Sequence, residues 1–344
     1  MEVQKKISLK DVAIHVGVST ALVSYVLNNK EKKGRVGAEM VKRIRKAAIE
    51  LNYKPNLIAQ SLKSGKTNTI GLIVADISNP FFSNIARIIE DEAKKLGYVV
   101  IFGSSDESAE KSEDLIDVFL KRQVDAFIIA PAANSGNQVK RLKEMNVPFV
   151  LIDRYFPDIK TDTVQINNFQ AAFEAVEHLI KTGRRKIAMV SYDLNLPHLE
   201  ERKNGYNEAH KVFNIPIKNN LFIKASYQKL SNDVADGLHK LLSPTPNKVD
   251  AVFFATNSLA VEGLKKINTL KIKVPDQVAI ISFDESDAFD FFYSPVTYVR
   301  QSVADIGKEA VELAVSRIND STKPFINIVV EAKLVIRESA GKIA

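Results

Sequence analysis

The sequence predicts a small all-α front segment followed by an α/β core of two subdomains built on parallel sheets. Three observations carry that prediction. Between Ser8 and Asn28, apolar residues recur at helical spacing on either side of a single glycine. From Thr69 onward, short runs rich in Val and Ile alternate with amphipathic stretches, and that rhythm runs through twice. Charge divides the chain at the same place. Residues 1–66 hold 14 Lys and Arg against 5 Asp and Glu, whereas the remainder holds 34 against 36.

The 344 residues leave room for two or three domains, one of them with a large core. No apolar run reaches membrane-spanning length, and the first six residues lack the apolar centre of a signal peptide, so a cytoplasmic protein is expected. Without cysteine there is neither disulfide nor thiol chemistry. The five histidines (His15, His178, His198, His210 and His239) are scattered without metal-ligand spacing and read as core or surface residues. No metal and no cofactor is expected.

Ser8 caps a first helix through its side-chain oxygen, and Gly17 supplies the left-handed residue that stops it. Ser19 caps a second helix almost at once. Leu9, Val12, Ala13, Val18, Leu22, Val23 and Val26 give both helices an inner face. Helix, tight turn with glycine, helix is the unit that lays its second helix in the DNA major groove, and the basic surplus around it suits phosphate contact. A polar loop follows (29–35), then a third helix with Met40, Val41, Ile44, Ala47, Ala48 and Leu51 inward and Lys42, Arg43, Arg45 and Lys46 outward. Pro55 ends that helical region. Asn56 can cap a short helix over Leu57–Lys63, which is too short to persist alone in water and must fold against something.

Asp11-Val12-Ala13, Gly17-Val18-Ser19 and Val23-Ser24 with Asn28 closely resemble the headpiece of the LacI/GalR family of bacterial transcription regulators. The resemblance implies that Ser19, Thr20, Ala21 and Tyr25 face the groove, with Thr20 and Tyr25 as base readers. It sets Ser8, Lys10, Ser24, Asn28 and Tyr53 against phosphates, with Arg35 beside them. Asn52-Tyr53-x-Pro55-Asn56, then Ala59 and Leu62, look like the hinge that orders when two subunits bind one operator, Leu62 wedging between base steps of the minor groove. The chain departs from the family at Tyr25, often arginine, at Ala21, often a hydrogen-bonding residue, and at Gly37, usually serine.

In the core, strands are expected at Thr69–Ala75, Tyr98–Phe102, Ala126–Ala130, Phe149–Ile152, Lys186–Ser191, Ala251–Ala255 and Val278–Ser282. Helices are expected at Phe82–Leu96, Glu110–Arg122, Val139–Met145, Phe169–Lys181, Leu199–Phe213, Ser231–Leu242 and Leu259–Ile267. Ligands of open α/β sheets bind beyond the carboxyl ends of the strands. There the chain carries Asp76, Asn79, Phe81 and Phe82, then Asp153-Arg154, Asn257 and Asp284, a set that suits a polyhydroxylated ligand.

Residues 67–344 are similar to the periplasmic-binding-protein fold that this family shares. The resemblance places Asn79, Phe81, Phe82, Asp153, Arg154, Arg202, Asn257, Asp284 and Gln301 at effector contacts, with Ser258 where aspartate is usual. It implies three crossovers, near 161–166, 292–302 and 323–332. The expected division is a headpiece (1–51), a hinge (52–66) and a core (67–344). One core subdomain covers about 67–161 and 302–326, the other about 162–301 and 327–344.

No phosphate-cradling GxxxxGK[ST], GxGxxG or GxSxG motif is present, so no catalytic residue is assigned and an enzyme is not expected. The expected function is a homodimeric, effector-controlled repressor of carbohydrate genes that reads a pseudo-palindromic operator in double-stranded DNA and senses a sugar or sugar derivative, away from any membrane. The alternative is a sugar-binding solute receptor without DNA function, which the basic headpiece opposes.

Overall fold

The computed structural model describes residues 7–54, 65–217, 221–243 and 248–342. The chain divides into two compact units, Met1–Thr67 and Asn68–Ala344.

The first unit is built by its caps. Helix α1 (Leu9–Val16) opens on a capping box: the Asp11 N–H donates to Ser8 Oγ at 3.3 Å, and the Ser8 N–H donates to Asp11 Oδ2 at 2.7 Å. Gly17 sits at φ +76°, and its N–H donates to the Ala13 carbonyl at 3.0 Å. Ser19 then accepts from the Leu22 N–H at 3.3 Å and starts α2 (Thr20–Leu27), which meets α1 at 108°. Helix α3 (Ala38–Glu50) begins at Gly37 without a side-chain cap. Val12, Ala13, Val16, Val23, Val26, Ile44, Ala47 and Ala48 form the buried core of the three helices. The short helix expected over Leu57–Lys63, with Asn56, Ala59 and Leu62, lies outside the described residues.

The second unit has two lobes. The first begins β1 (Thr69–Val74), α4 (Pro80–Lys95), β2 (Val99–Ser104), α5 (Ala109–Lys121), β3 (Ala126–Ile129), α6 (Gly136–Glu144), β4 (Phe149–Ile152) and β5 (Asp162–Ile166). The second runs α7 (Asn168–Lys181), β6 (Ile187–Tyr192), α8 (Pro197–Val212), β7 (Phe222–Ala225), α9 (Leu230–Leu242), β8 (Ala251–Phe254), α10 (Asn257–Thr269), β9 (Ala279–Phe283), α11 (Ala288–Phe291) and β10 (Thr297–Gln301). The chain returns to the first lobe with α12 (Val303–Asn319) and β11 (Asn327–Val330), then ends in the second with β12 (Ala332–Val335). Strand order is β11-β5-β4-β3-β1-β2 in one sheet and β12-β10-β9-β8-β6-β7 in the other. Among the described residues every pairing is parallel except β10 with β12. Buried strands with helices on both faces give the near-continuous apolar runs seen in β1, β3, β4, β8 and β9.

Two expectations need correction. No apolar run announces β5, β7, β10 and β11, because Asp162 and Gln165, Lys224, Arg300 and Gln301, and Asn327 put polar side chains into these short strands. The subdomain limits also move: β5 and β11 belong to the first sheet, not to the second lobe, so the chain crosses at 167, 302 and 331. A buried ion pair holds them there. Arg317 on α12 donates from Nε to Asp162 Oδ2 at 2.9 Å and from Nη2 to Asp162 Oδ1 at 3.0 Å, and Asp162 Oδ1 also accepts from the Ile326 N–H at 2.9 Å.

Candidate functional site

Each sheet reverses its strand order once, between β1 and β3 in the first and between β6 and β8 in the second, and ligands of such sheets sit outside the carboxyl ends at that point. The two reversal points face one cleft. From the first lobe come Asp76 and Asn79 after β1, Phe81 and Phe82 on α4, Glu107 after β2, and Asp153 and Arg154 after β4. From the second come Tyr192 ending β6, His198 and Arg202 on α8, Tyr227 after β7, Thr256 after β8 and Asp284 after β9. Phe81, Asp284 and Gln301 also line a smaller recess beside it.

The duplicated lobes each place one carboxylate at an equivalent strand end. Asp153 and Asp284 follow β4 and β9, both in left-handed backbone at φ 62° and 64°. Each donates its N–H to the next strand at 3.0 Å, Asp153 to Val164 and Asp284 to Val299. Burial raises both carboxyl pKa values, that of Asp284 to about 6, against the pull of Arg202. Gln301 Nε2 donates to Asp284 Oδ1 at 2.5 Å, while Gln301 Oε1 is buried without a partner.

Both arginines are already committed. Arg154 donates Nη1 and Nη2 to the two Glu107 oxygens at 2.7 and 2.6 Å, and its Nε lies 3.5 Å from Asp153. Arg202 donates Nε to Asn168 Oδ1 at 2.9 Å and Nη1 to the Ala255 carbonyl at 2.7 Å, and its guanidinium stacks 3.6 Å from the Phe283 ring centroid. Gly205 makes this possible, since a Cβ there would lie 2.3 Å from the Phe169 carbonyl oxygen and force α8 away from α7. His198 is buried with Nδ1 unpartnered, and burial beside Arg154 and Arg202 drives its pKa well down, so the ring is neutral.

Hydrogen bonds already cross the cleft. Tyr227 donates to Asp76 Oδ2 at 2.8 Å, Tyr155 to Glu201 Oε1 at 2.5 Å, and Asn257 Nδ2 to Asn79 Oδ1 at 3.2 Å. Asn79 Nδ2 donates in turn to Ser258 Oγ at 3.4 Å. Burial first, then Glu201, pushes the Tyr155 hydroxyl up to about 12. Asn257 therefore acts on the cleft through Asn79 and does not line it.

In the headpiece, Ser19, Thr20, Ala21 and Tyr25 are exposed along α2 and its cap, and Ser8, Lys10 and Arg35 are exposed as well. Asn28 Nδ2 donates to the Ser24 carbonyl at 2.7 Å and to Ser24 Oγ at 3.2 Å, closing the end of α2. Tyr53 packs half-buried against the headpiece core, and burial raises its hydroxyl pKa. Three of the outward cations have partners within the unit: Arg43 Nη2 donates to the Val16 carbonyl at 3.3 Å, Arg45 Nη2 to Asn29 Oδ1 and Glu31 Oε1 at 3.0 and 3.2 Å, and Lys46 Nζ lies 3.7 Å from Glu50 Oε1.

This pairing of a helix-turn-helix unit with a two-lobed cleft has close relatives. Residues 8–56 match the model of bacterial regulatory proteins of the lacI family, and residues 176–340 match the periplasmic binding protein-like domain. The ribose operon repressor of Halalkalibacterium halodurans is 30% identical over 335 residues, 96% of either chain. The chain belongs to the LacI family. The repressor PurR of Histophilus somni is also 30% identical, over 96% of this chain and 98% of its own. The solved complex of the regulator CelR with cellobiose matches with a TM-score of 0.72 at 26% identity, covering 97% of this chain and 99% of that one. As a LacI-family member the chain is a ligand-responsive, DNA-binding transcription regulator.

Within this LacI-family cleft, Glu107, Tyr192, His198, Tyr227 and Thr256 escape the motif reading. Residues at or just past the ends of β2, β6 and β8 include Glu107, Tyr192 and Thr256, whereas Tyr227 follows β7, a strand the sequence does not announce. Nothing in the sequence singles out His198. Among the described residues, no group of His, Asp and Glu is gathered for a metal ion, and no single helix is long and apolar enough to cross a membrane.

Proposed function

We propose that this regulator is a cytoplasmic repressor of carbohydrate genes, bound as a homodimer to a pseudo-palindromic operator and controlled by an uncharged, polyhydroxylated metabolite in the cleft. The charge balance of the cleft carries the reading. Asp76, Glu107, Asp153 and Asp284 line it against only Arg154 and Arg202, and both cations already face carboxylates. An anionic ligand meets repulsion there, whereas hydroxyl groups can both donate and accept. Asp153, Asp284 and Gln301 Oε1 offer acceptors, Arg202 a donor, and the neutral His198 ring a nitrogen without a partner, while Arg154 stays paired with Glu107. Phe81 and Phe82 supply apolar walls suited to a sugar-ring face. Asn79 and Asn257 join the lobes as they close on the ligand.

At the other end, Ser19, Thr20, Ala21 and Tyr25 enter the major groove, while Ser8, Lys10, Ser24, Asn28, Arg35 and Tyr53 position the backbone. Asn56, Ala59 and Leu62 complete the contact set in the minor groove. Closure and operator grip are coupled reciprocally, so the effector changes operator affinity by the factor by which operator changes effector affinity.

The test is a thermal-shift panel of neutral sugars, their phosphates, sugar acids and nucleobases, followed by operator binding with every compound that stabilises the protein. Neutral sugars are expected to raise the melting temperature and change operator affinity. Stabilisation by phosphorylated sugars or nucleobases alone overturns the effector assignment. Unchanged operator affinity with a bound ligand overturns the coupling.

A further inference from the structure

The loop between α2 and α3 is a closed, hydrogen-bonded unit. The Lys30 N–H donates to the Tyr25 carbonyl at 2.8 Å, Gly34 to Lys30 at 3.0 Å, and Val36 to Glu31 at 2.9 Å. Arg45 on α3 ties the loop down through Asn29 and Glu31, and Val36 packs on the headpiece core. Gly34 lies within this unit, against Tyr25. A Cβ built on Gly34 would stand 2.7 Å from Tyr25 Cγ, 2.8 Å from Cδ2 and 3.0 Å from Cβ. These atoms are the root of the side chain, so its flexible tip cannot relieve the clash. Ring or loop must move.

We infer that Gly34, held in place by the Arg45-anchored loop, is a positioning residue for DNA specificity: it backs the Tyr25 ring and fixes where that side chain meets the bases. The proposal rests on Tyr25 being a base reader. Tyr25 remains 38% exposed, so one side of the residue is fixed by the protein while the other is open to a partner. A base-reading aromatic held in this way binds without first losing its rotamer freedom, and discrimination between bases depends on that preorganisation. The absence of a side chain at 34 is therefore a requirement of recognition at 25. Arg45, by the same geometry, acts on the loop and through it on the ring, a role separate from phosphate contact.

The experiment selects operators from a random duplex library with the full-length protein and with the Gly34→Ala, Tyr25→Ala, Tyr25→Ala/Gly34→Ala and Arg45→Ala variants. Gly34→Ala is expected to change base preference at one position of each half-site and to weaken binding to the parent operator by roughly ten-fold, the size of one mismatched position. In the Tyr25→Ala background the same glycine change is expected to alter neither. Arg45→Ala is expected to broaden preference at that same position, and it decides the matter if Gly34→Ala does not fold. Unchanged preference in folded Gly34→Ala, or an equal effect of the glycine change without the tyrosine ring, overturns the proposal; if Gly34→Ala does not fold, unchanged preference in Arg45→Ala overturns it. If Tyr25→Ala itself leaves base preference intact, the base-reader assignment fails first and takes the proposal with it.

Discussion

In the headpiece, the proposed base readers lie along one short helix, from Ser19 to Tyr25, and all of Ser19, Thr20, Ala21 and Tyr25 are exposed. In the core cleft they come from positions as far apart as Asp76 and Gln301, and Asp153, Arg154, Arg202, Asp284 and Gln301 are buried. The first site is a surface on a frame made rigid by caps and a small apolar core. The second is part of the frame. Changing the headpiece readers should alter recognition and leave stability alone, whereas changing the cleft residues should alter both.

The hardest test of that contrast is Glu107→Gln. It leaves Arg154 buried without its bidentate carboxylate, and the core is expected to lose about 3–5 kcal/mol in urea unfolding. Thr20→Ala, by comparison, should stay within about 0.5 kcal/mol. A loss below about 1 kcal/mol for Glu107→Gln erases the distinction.

Ile44→Ala comes next. It opens a cavity in the headpiece core and should cost about 2–5 kcal/mol there, abolishing operator binding. Because the headpiece and core are separate compact units, the core melting transition and its shift with effector should persist. A core that melts together with the damaged headpiece joins what the comparison separates.

Proton linkage tests the cleft from its own side. Asp284 holds its proton more tightly when folded, with a pKa near 6 against the ordinary 3.8. The folded state therefore binds more protons than the unfolded state between these values, and core stability should fall as pH rises from about 4 to 6. Above that window the carboxylate is ionised in both states and the full cost is present. The raised pKa of Asp153 acts in the same direction. Asp284→Asn should flatten the slope in unfolding experiments run across that range, and an unchanged slope removes Asp284 as its source.

The smallest effect belongs to the exposed lysines of the headpiece loop. Removing Lys32 or Lys33 should reduce the slope of log affinity against log salt by about 0.9 for each phosphate that the lysine neutralises. Effector affinity in the absence of DNA should not change. A salt slope that stays the same places these charges away from the phosphates.

Legibility in the sequence follows the same divide. Ser8, Gly17 and Ser19 act on residues three or four positions away, so their spacing is enough to locate α1, the turn and α2. In the core, polar residues after strong apolar runs pointed to Asn79, Asp153, Arg154 and Asp284. Their partners are not legible at a strand end. Arg154 reads as a donor for a ligand until Glu107, far away in sequence, is found gripping both of its terminal nitrogens. The lobe to which the short strands β5 and β11 belong was hidden for the same reason: Arg317 reaches Asp162 of β5 from α12, and β11 pairs with β5.

Sequence alone determined the helix-turn-helix, the doubled α/β rhythm and the surplus of positive charge at the front, because each is written in contacts between near neighbours or in composition. Tertiary structure decided which cations are spent, which carboxylates are pushed toward neutrality, and why position 34 carries no side chain. These depend on distance and burial between groups remote along the chain, and no local pattern encodes them.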